Sequence, residues 1–233
     1  MGKIIAVGSG CGGVGKSTVA LSVAAGASER GLRTILFDVS GSARSCDLML
    51  GIESLVVLDM LDVIKQQTSI ASALYPIPER KNLSFACASL YDGEDASAFS
   101  GILLALRAMC DLLVIDLPTG PLAVDQSLFD ERDALLLLTR PDDVSVRACE
   151  RMLSYLAASA LNRHLVITRI NSFRVKKKAQ YSQQQVEMIL DMPSSACIPE
   201  NDALQMRSER GKTPFDTDIR LRIELNKLLG ILL

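Results

Sequence analysis

Residues 8–18, GSGCGGVGKST, decide how the rest of the chain is read. From Gly10 to Ser17 they fit G-x-x-x-x-G-K-[ST], the pattern of a loop that wraps phosphate between a strand and a helix. The flanks suit that context. Residues 3–7 are an apolar run, and beyond the loop Val19, Val23 and Ala27 recur at helical spacing. Gly12, Gly13 and Gly15, with Val14 between them, allow backbone N–H groups to turn inward while the following helix adds its positive end. In such a loop Lys16 brings an ammonium to the β and γ oxygens, Ser17 holds magnesium through its hydroxyl, and Thr18 reaches the α-phosphate. One position is unexpected: residue 11 is a cysteine, small and neutral, where a triphosphate site has use for charge.

The length of 233 residues suits one large α/β domain over residues 1–233, since no Pro/Gly/Ser-rich linker, low-complexity run or internal repeat interrupts it. Twenty-five Lys and Arg against 27 Asp and Glu give a net charge of -2, so the chain as a whole has no electrostatic pull toward nucleic acid or anionic lipid. Any such contact has to come from a local patch. The six cysteines form no C-x-x-C pair and there is one histidine, His164, which argues against structural zinc. Residues 1–8 already read as a strand entering the loop, leaving no room for a cleaved leader, and no apolar run reaches about 18 residues. A reducing, cytoplasmic setting is expected.

Outward from the loop, apolar strands and amphipathic helices alternate. Strands are expected at 34–37, 83–88, 112–117, 134–139, 165–170 and 196–198. Helices are expected at about 17–30, 97–109, 143–159, 182–191, 202–210 and 217–229. Continuous apolar strands imply a doubly wound, mostly parallel sheet covered by helices on both faces. Ligands of such sheets bind at the carboxyl ends of the strands. Asp38, Asp116, the segment from Thr139 and Asn171 all fall there. Asp116 ends the run Leu112-Leu113-Val114-Ile115, as suits a carboxylate that holds a magnesium-bound water.

With these residues placed, the chain resembles the MinD/ParA family of P-loop ATPases. The resemblance is carried by MGKIIAVGSGCGGVGKST at the start, DVSGSARSCDLMLGIE after the second strand, DLPTG at 116–120, then TRPDDVSVRACERM, VITRINSFRV and CIPENDAL. It implies ATP or ADP with Mg²⁺ as ligands and a switch in which two protomers face each other across two nucleotides. By the same resemblance Asn171 reads adenine, and the peptide beginning Pro199-Glu200 closes over the base. Asp38 and the loop through Arg44 to Asp47 correspond to the first switch, and Asp116 to Gly120 to the second. The expected function is an ATP-binding regulator of cell-division site selection or intracellular positioning, acting as a nucleotide-dependent homodimer with a regulatory protein partner.

Two departures bear on hydrolysis. The family normally has a signature lysine at position 11, which reaches the partner protomer's phosphates, and a cation in such a role contributes roughly 10³–10⁵ in rate. Cys11 carries no such charge. The family also has Asp-x-Asp after the second strand where this chain has Asp38-Val39-Ser40, and a serine is a poor base. Lys16 and Asp38 remain as candidate catalytic residues, and ATP binding with impaired turnover is expected. The alternative is an active ATPase, converting ATP and water to ADP and phosphate and partitioning DNA or positioning another structure, in which Arg44 or Arg140 substitutes for the lost lysine. Cys11 itself reads as a tolerated small residue or as a redox-sensitive thiol near a helix N-terminus. Arg174-Val175-Lys176-Lys177-Lys178 reads as a solvated face or as a patch for nucleic acid or anionic lipid. Leu221, Leu225, Leu228, Leu229 and Leu232 read as the last core helix. Beyond it the family's linker and amphipathic membrane helix are not expected, which leaves the short apolar tail 230–233 as the one segment for peripheral contact with the inner membrane.

Overall fold

The computed structural model describes residues 1–40, 45–88, 96–120, 126–156, 161–201 and 212–233. β1 (Lys3–Ser9) leads through the glycine loop into α1 (Lys16–Glu29), and β2 (Thr34–Asp38) follows. Short helices α2 (Ser45–Leu50) and α3 (Met60–Ile64) come next, then β3 (Tyr75–Ile77) and β4 (Arg80–Cys87). The alternation resumes with α4 (Ala96–Met109), β5 (Leu112–Thr119), β6 (Ala134–Thr139), α5 (Asp143–Tyr155) and β7 (Asn162–Ile170). α6 (Ser172–Lys176), α7 (Gln183–Leu190), β8 (Ser194–Pro199), α8 (Pro214–Thr217) and α9 (Ile219–Leu232) complete it.

Among the described residues one sheet holds all eight strands, in the order β3-β4-β2-β5-β1-β6-β7-β8. Every neighbouring pair is parallel except β3 with β4. Because successive side chains on a strand point to opposite faces, β1 divides its residues between two cores. Ile5 and Val7 join the core under α1 and α9, with Leu36, Val114, Leu136, Leu225 and Leu229. Ile4 and Ala6 join the other, with Phe37, Leu103, Leu106, Ile115, Leu137 and Val186. Both faces are therefore dry, as the continuous apolar strands required, and each fully buried leucine or isoleucine contributes about 1.5–3 kcal/mol. The doubly wound, mostly parallel sheet expected from the sequence is the observed architecture.

The differences lie in short elements. β3 is a three-residue antiparallel edge strand that includes Pro76, tolerable only at an edge and too short to carry a period. α2, α3, α6 and α8 have four to six residues each and were not expected, although α3 begins with a legible capping box, Asp59 with Asp62. The helix expected over 143–159 runs to Tyr155, and residues 157–160 lie outside the described residues, as does the helix expected at 202–210. The five leucines of the C-terminal stretch are buried on the sheet in α9.

A buried ionic network anchors β1, the strand that launches the glycine loop. Arg107 from α4 donates through Nε to the Gly2 carbonyl (2.7 Å), and through Nη2 to Asp130 (2.7 Å) and Asp133 (3.0 Å). Asp133, fully buried, also accepts the Ile4 N–H at 2.7 Å. Removing one partner of a buried pair leaves the other uncompensated. Asp133→Ala is therefore expected to lose about 3–5 kcal/mol in urea denaturation, whereas Asp130→Ala, at the half-exposed end of the network, loses under about 1 kcal/mol.

Candidate functional site

β1 lies at the middle of the sheet between β5 and β6, so its loop emerges at the carboxyl edge flanked by two other strand ends. Gly13 and Gly15 take φ of +71° and +91°, the left-handed region, and a Cβ on either would meet open space. Gly10 is constrained differently: a Cβ there would sit 2.2 Å from the Ala148 carbonyl, so α5 packs directly against the loop. Thr168, from β7, donates its hydroxyl to the Val14 carbonyl at 2.7 Å and clamps the other side. Gly15 is the N-cap of α1 and has no side chain to offer, and the first turn holds no acid, so the helix presents its opening N–H groups and positive end to the loop.

Lys16 is the next residue. Its ammonium, buried at the sheet edge, donates to Thr119 Oγ1 (2.7 Å) and Ser9 Oγ (3.2 Å), both neutral. Burial lowers its pKa, and the opposing charge of Asp116 acts against this. A buried ammonium held by hydroxyls alone is a receptor for an anion.

The acids stand on neighbouring strands, Asp38 of β2 opposite Asp116 of β5. Asp38 Oδ1 accepts from the Ser40 N–H (2.9 Å) and hydroxyl (2.6 Å), and its Oδ2 accepts the Cys46 N–H (3.2 Å). Asp116 Oδ2 accepts from the Cys46 thiol at 3.6 Å, while its Oδ1 is buried with no hydrogen-bond partner. Burial and the charge of Asp38 push Asp116 up to about 7, against Ser17, Lys16 and the Cys46 thiol. Ser17 Oγ accepts from Ser45 Oγ at 2.8 Å. An orphaned carboxylate oxygen beside a serine hydroxyl at a helix start is a donor set that fits a hard divalent cation.

Residues toward the β7 and β8 ends gather as well. Asn171 caps α6 by accepting from the Phe173 and Arg174 N–H groups, and its Nδ2 donates to Glu200 Oε2 at 2.9 Å. The Glu200 N–H in turn donates to the Ile170 carbonyl. Pro199 and Glu200 line a small cavity of about 80 Å³ with Val14, Gly15 and Thr18, next to the loop. Asn171 instead lines a larger groove of about 870 Å³ along β8, to which Pro199 and Glu200 also contribute. The three residues are thus neighbours, with the Asn171 amide occupied by Glu200.

The departures from the family pattern are each satisfied internally. The Cys11 thiol donates to Ser145 Oγ at 3.4 Å. That oxygen also accepts from Arg140 Nε (3.1 Å), and Arg140 pairs with Asp142 at 3.0 Å. Ser40 is turned onto Asp38. Arg44 lies outside the described residues. Sequence reasoning gave Ser9 and Thr168 no role, and it placed Thr119 and Cys46 only within the two switch segments. The three hydroxyls did carry a signal, since each ends or nearly ends a strand at the functional edge; for Cys46, the second residue of a short helix that was not foreseen, nothing marked the thiol itself.

The ParA family model, described as NUBPL iron-transfer P-loop NTPase, matches residues 1–218. The septum site-determining protein MinD of Escherichia coli K12 is 32% identical over 232 residues, covering 94% of this chain and 86% of that protein. MinD of Helicobacter pylori is 29% identical over 229 residues, with 94% and 85% covered. Among solved structures, a chain of the MinC:MinD cell division protein complex of Aquifex aeolicus superposes with a TM-score of 0.87 at 24% identity, over 99% of this chain and 95% of that one. MinD of Pyrococcus horikoshii, complexed with Mg-ADP, gives 0.81 at 20% identity, over 100% and 96%. By the extent of the family match and the identity to MinD along nearly its whole length, this chain belongs to the ParA family of P-loop NTPases and is a MinD-like member of it.

Proposed function

We propose that this chain works as one nucleotide-binding domain that holds ATP or ADP with Mg²⁺, turns it over slowly, and regulates cell-division site selection as a nucleotide-dependent homodimer. The observation that carries this is the buried Lys16 ammonium on two neutral hydroxyls, at the open N-terminus of α1 and beside the orphaned Asp116 oxygen. Lys16 exchanges Ser9 and Thr119 for phosphate oxygens, the loop from Gly12 to Gly15 donates its backbone N–H groups, and Thr18 reaches the α-phosphate. Ser17 and Asp116 hold the cation; when bound, magnesium neutralises charge on the β and γ oxygens. Asn171 reads the base after exchanging Glu200 for it, with Pro199 and Glu200 covering the base.

Slow turnover is supported by where the substituted residues point. Position 40, where the family carries the carboxylate that helps orient the attacking water, is a serine whose hydroxyl is turned onto Asp38, and Cys11 puts a neutral thiol where the family places a cation. Arg140, one hydrogen bond away from Cys11 through Ser145, favours a second reading in which it supplies that cation across the dimer and the chain is an active ATPase. Its pairing with Asp142 weighs against this.

A regulatory protein partner is consistent with the MinC:MinD complex of the relative from Aquifex aeolicus. No helix among the described residues is long and apolar enough to cross a membrane, so contact at the inner membrane would be peripheral. DNA contact draws less support, because Arg174 is paired with Glu200 and Lys177 lies over the Phe173 ring. Iron transfer, named in the description of the family model, has little to rest on: iron–sulfur cargo needs grouped thiolates, and the six cysteines are dispersed without a C-x-x-C pair.

Calorimetry with ATP and magnesium is expected to show one site per chain, weakened about 10- to 100-fold by Lys16→Ala, the size of a lost charge-assisted contact. Phosphate release is expected to stay low in the wild type and to rise at least tenfold in Cys11→Lys; wild-type turnover that Arg140→Ala abolishes would instead establish the second reading. Because the folded state holds the Asp116 proton more tightly than the unfolded chain does, its contribution to stability is complete below about pH 4 and is lost as the pH rises through about 7. Thermal melts of the nucleotide-free protein are expected to fall across that window relative to Asp116→Asn, which removes this part of the pH dependence.

A further inference from the structure

Asp38, Cys46 and Asp116 come from β2, α2 and β5, yet each places one ligand atom within 4.8 Å of the other two. All three are buried, none more than 2% exposed. It is the one group of three such donors among the described residues. The Cys46 backbone N–H is fixed on Asp38 Oδ2 and its thiol is aimed at Asp116 Oδ2, so the sulfur is held between the two carboxylates. Independently, Asp116 Oδ1 is buried in the same place without a partner.

The donor chemistry is mixed. Two carboxylates and a hydroxyl select a hard ion, but a thiolate among them shifts the preference toward a borderline one, with zinc the common ion for sulfur and oxygen together. With Zn–S near 2.3 Å and Zn–O near 2.0–2.2 Å, donors in a tetrahedral shell stand about 3.3–3.8 Å apart. The observed group has only to contract by roughly an ångström at its widest. A tetrahedral ion takes one further ligand beyond these three.

We propose that Asp38, Cys46 and Asp116 form a zinc-binding site in the nucleotide-free protein. Binding is a ligand exchange without oxidation: Zn²⁺ enters, the Cys46 thiol gives its proton to solvent, and a sulfur–zinc bond replaces the thiol hydrogen bond to Asp116. Since Asp116 is also the carboxylate assigned to magnesium above, the two ions exclude each other, and the zinc-loaded chain is locked out of the magnesium–nucleotide state. The zinc site itself does not depend on the nucleotide reading.

Cobalt(II) is the probe, titrated into nucleotide-free protein under a non-thiol reductant. One equivalent is expected to bind with a sulfur-to-cobalt charge-transfer band in the near ultraviolet, bleached by zinc, absent in Cys46→Ser and retained in Cys149→Ser and Cys197→Ser. X-ray absorption at the zinc edge of the wild type, expected to give one sulfur at about 2.3 Å with oxygen neighbours, covers the case in which Cys46→Ser does not fold. No charge-transfer band in the wild type, a band that survives Cys46→Ser, or a zinc shell with no sulfur or with two would overturn the site. One equivalent of zinc is expected to weaken magnesium–ATP binding at least tenfold; unchanged affinity in zinc-loaded protein would overturn the exclusion. Cobalt binding by a chain that ignores ATP would refute the nucleotide reading and leave this one standing.

Discussion

Burying the Lys16 ammonium removes it from water, and the hydroxyls of Ser9 and Thr119 return only part of that solvation. The arrangement is tolerable because the ammonium sits within the field of Asp116 and at the edge of the sheet, where an anion can complete it. Much of the surrounding structure serves this position. β1 is central and is pinned at its start by the Arg107–Asp133 network, Gly10 lets α5 press against the loop, and Thr168 fixes the Val14 carbonyl. A lysine on a loosely held loop would swing out to solvent; here the loop is braced from both flanks.

The same edge gathers negative charge that has nowhere to go. Asp38 and Asp116 face each other in register, and the resulting repulsion, added to burial, is what raises Asp116 into the neutral range. Lys16 offsets this only partly, being bonded elsewhere. Two acids so placed are relieved by any cation that comes between them. Cys46 belongs to this balance: its thiol supplies a hydrogen to Asp116 and, as a thiolate, would supply a ligand to such a cation.

The two residues that depart from the family pattern, Cys11 and Ser40, each have a hydrogen-bond partner. Each is absorbed into a local network, Cys11 with Ser145 and Arg140, Ser40 with Asp38. Loss of charge at both positions is thus accommodated by hydrogen bonds to neighbouring side chains.

The chain's residues alone determined the architecture and the core of the site. Long apolar strands alternating with periodic helices admit little besides a covered parallel sheet, and the loop pattern from Gly10 to Ser17 carries its own geometry, because glycine spacing and the helix start fix where backbone donors point. Asp38 and Asp116 were legible for the same reason, as acids ending apolar runs. Tertiary structure decided what depends on distance across the fold rather than along the chain. That Lys16 rests on Ser9 and Thr119, that Asn171 is engaged by Glu200, that Arg140 answers to Asp142, and that Cys46 lies between two aspartates all follow from register between strands and from helices too short to have a period. A hydrogen bond from β7 to the Val14 carbonyl, 154 residues away, has no signature in local sequence; it exists because the sheet order sets those strand ends side by side.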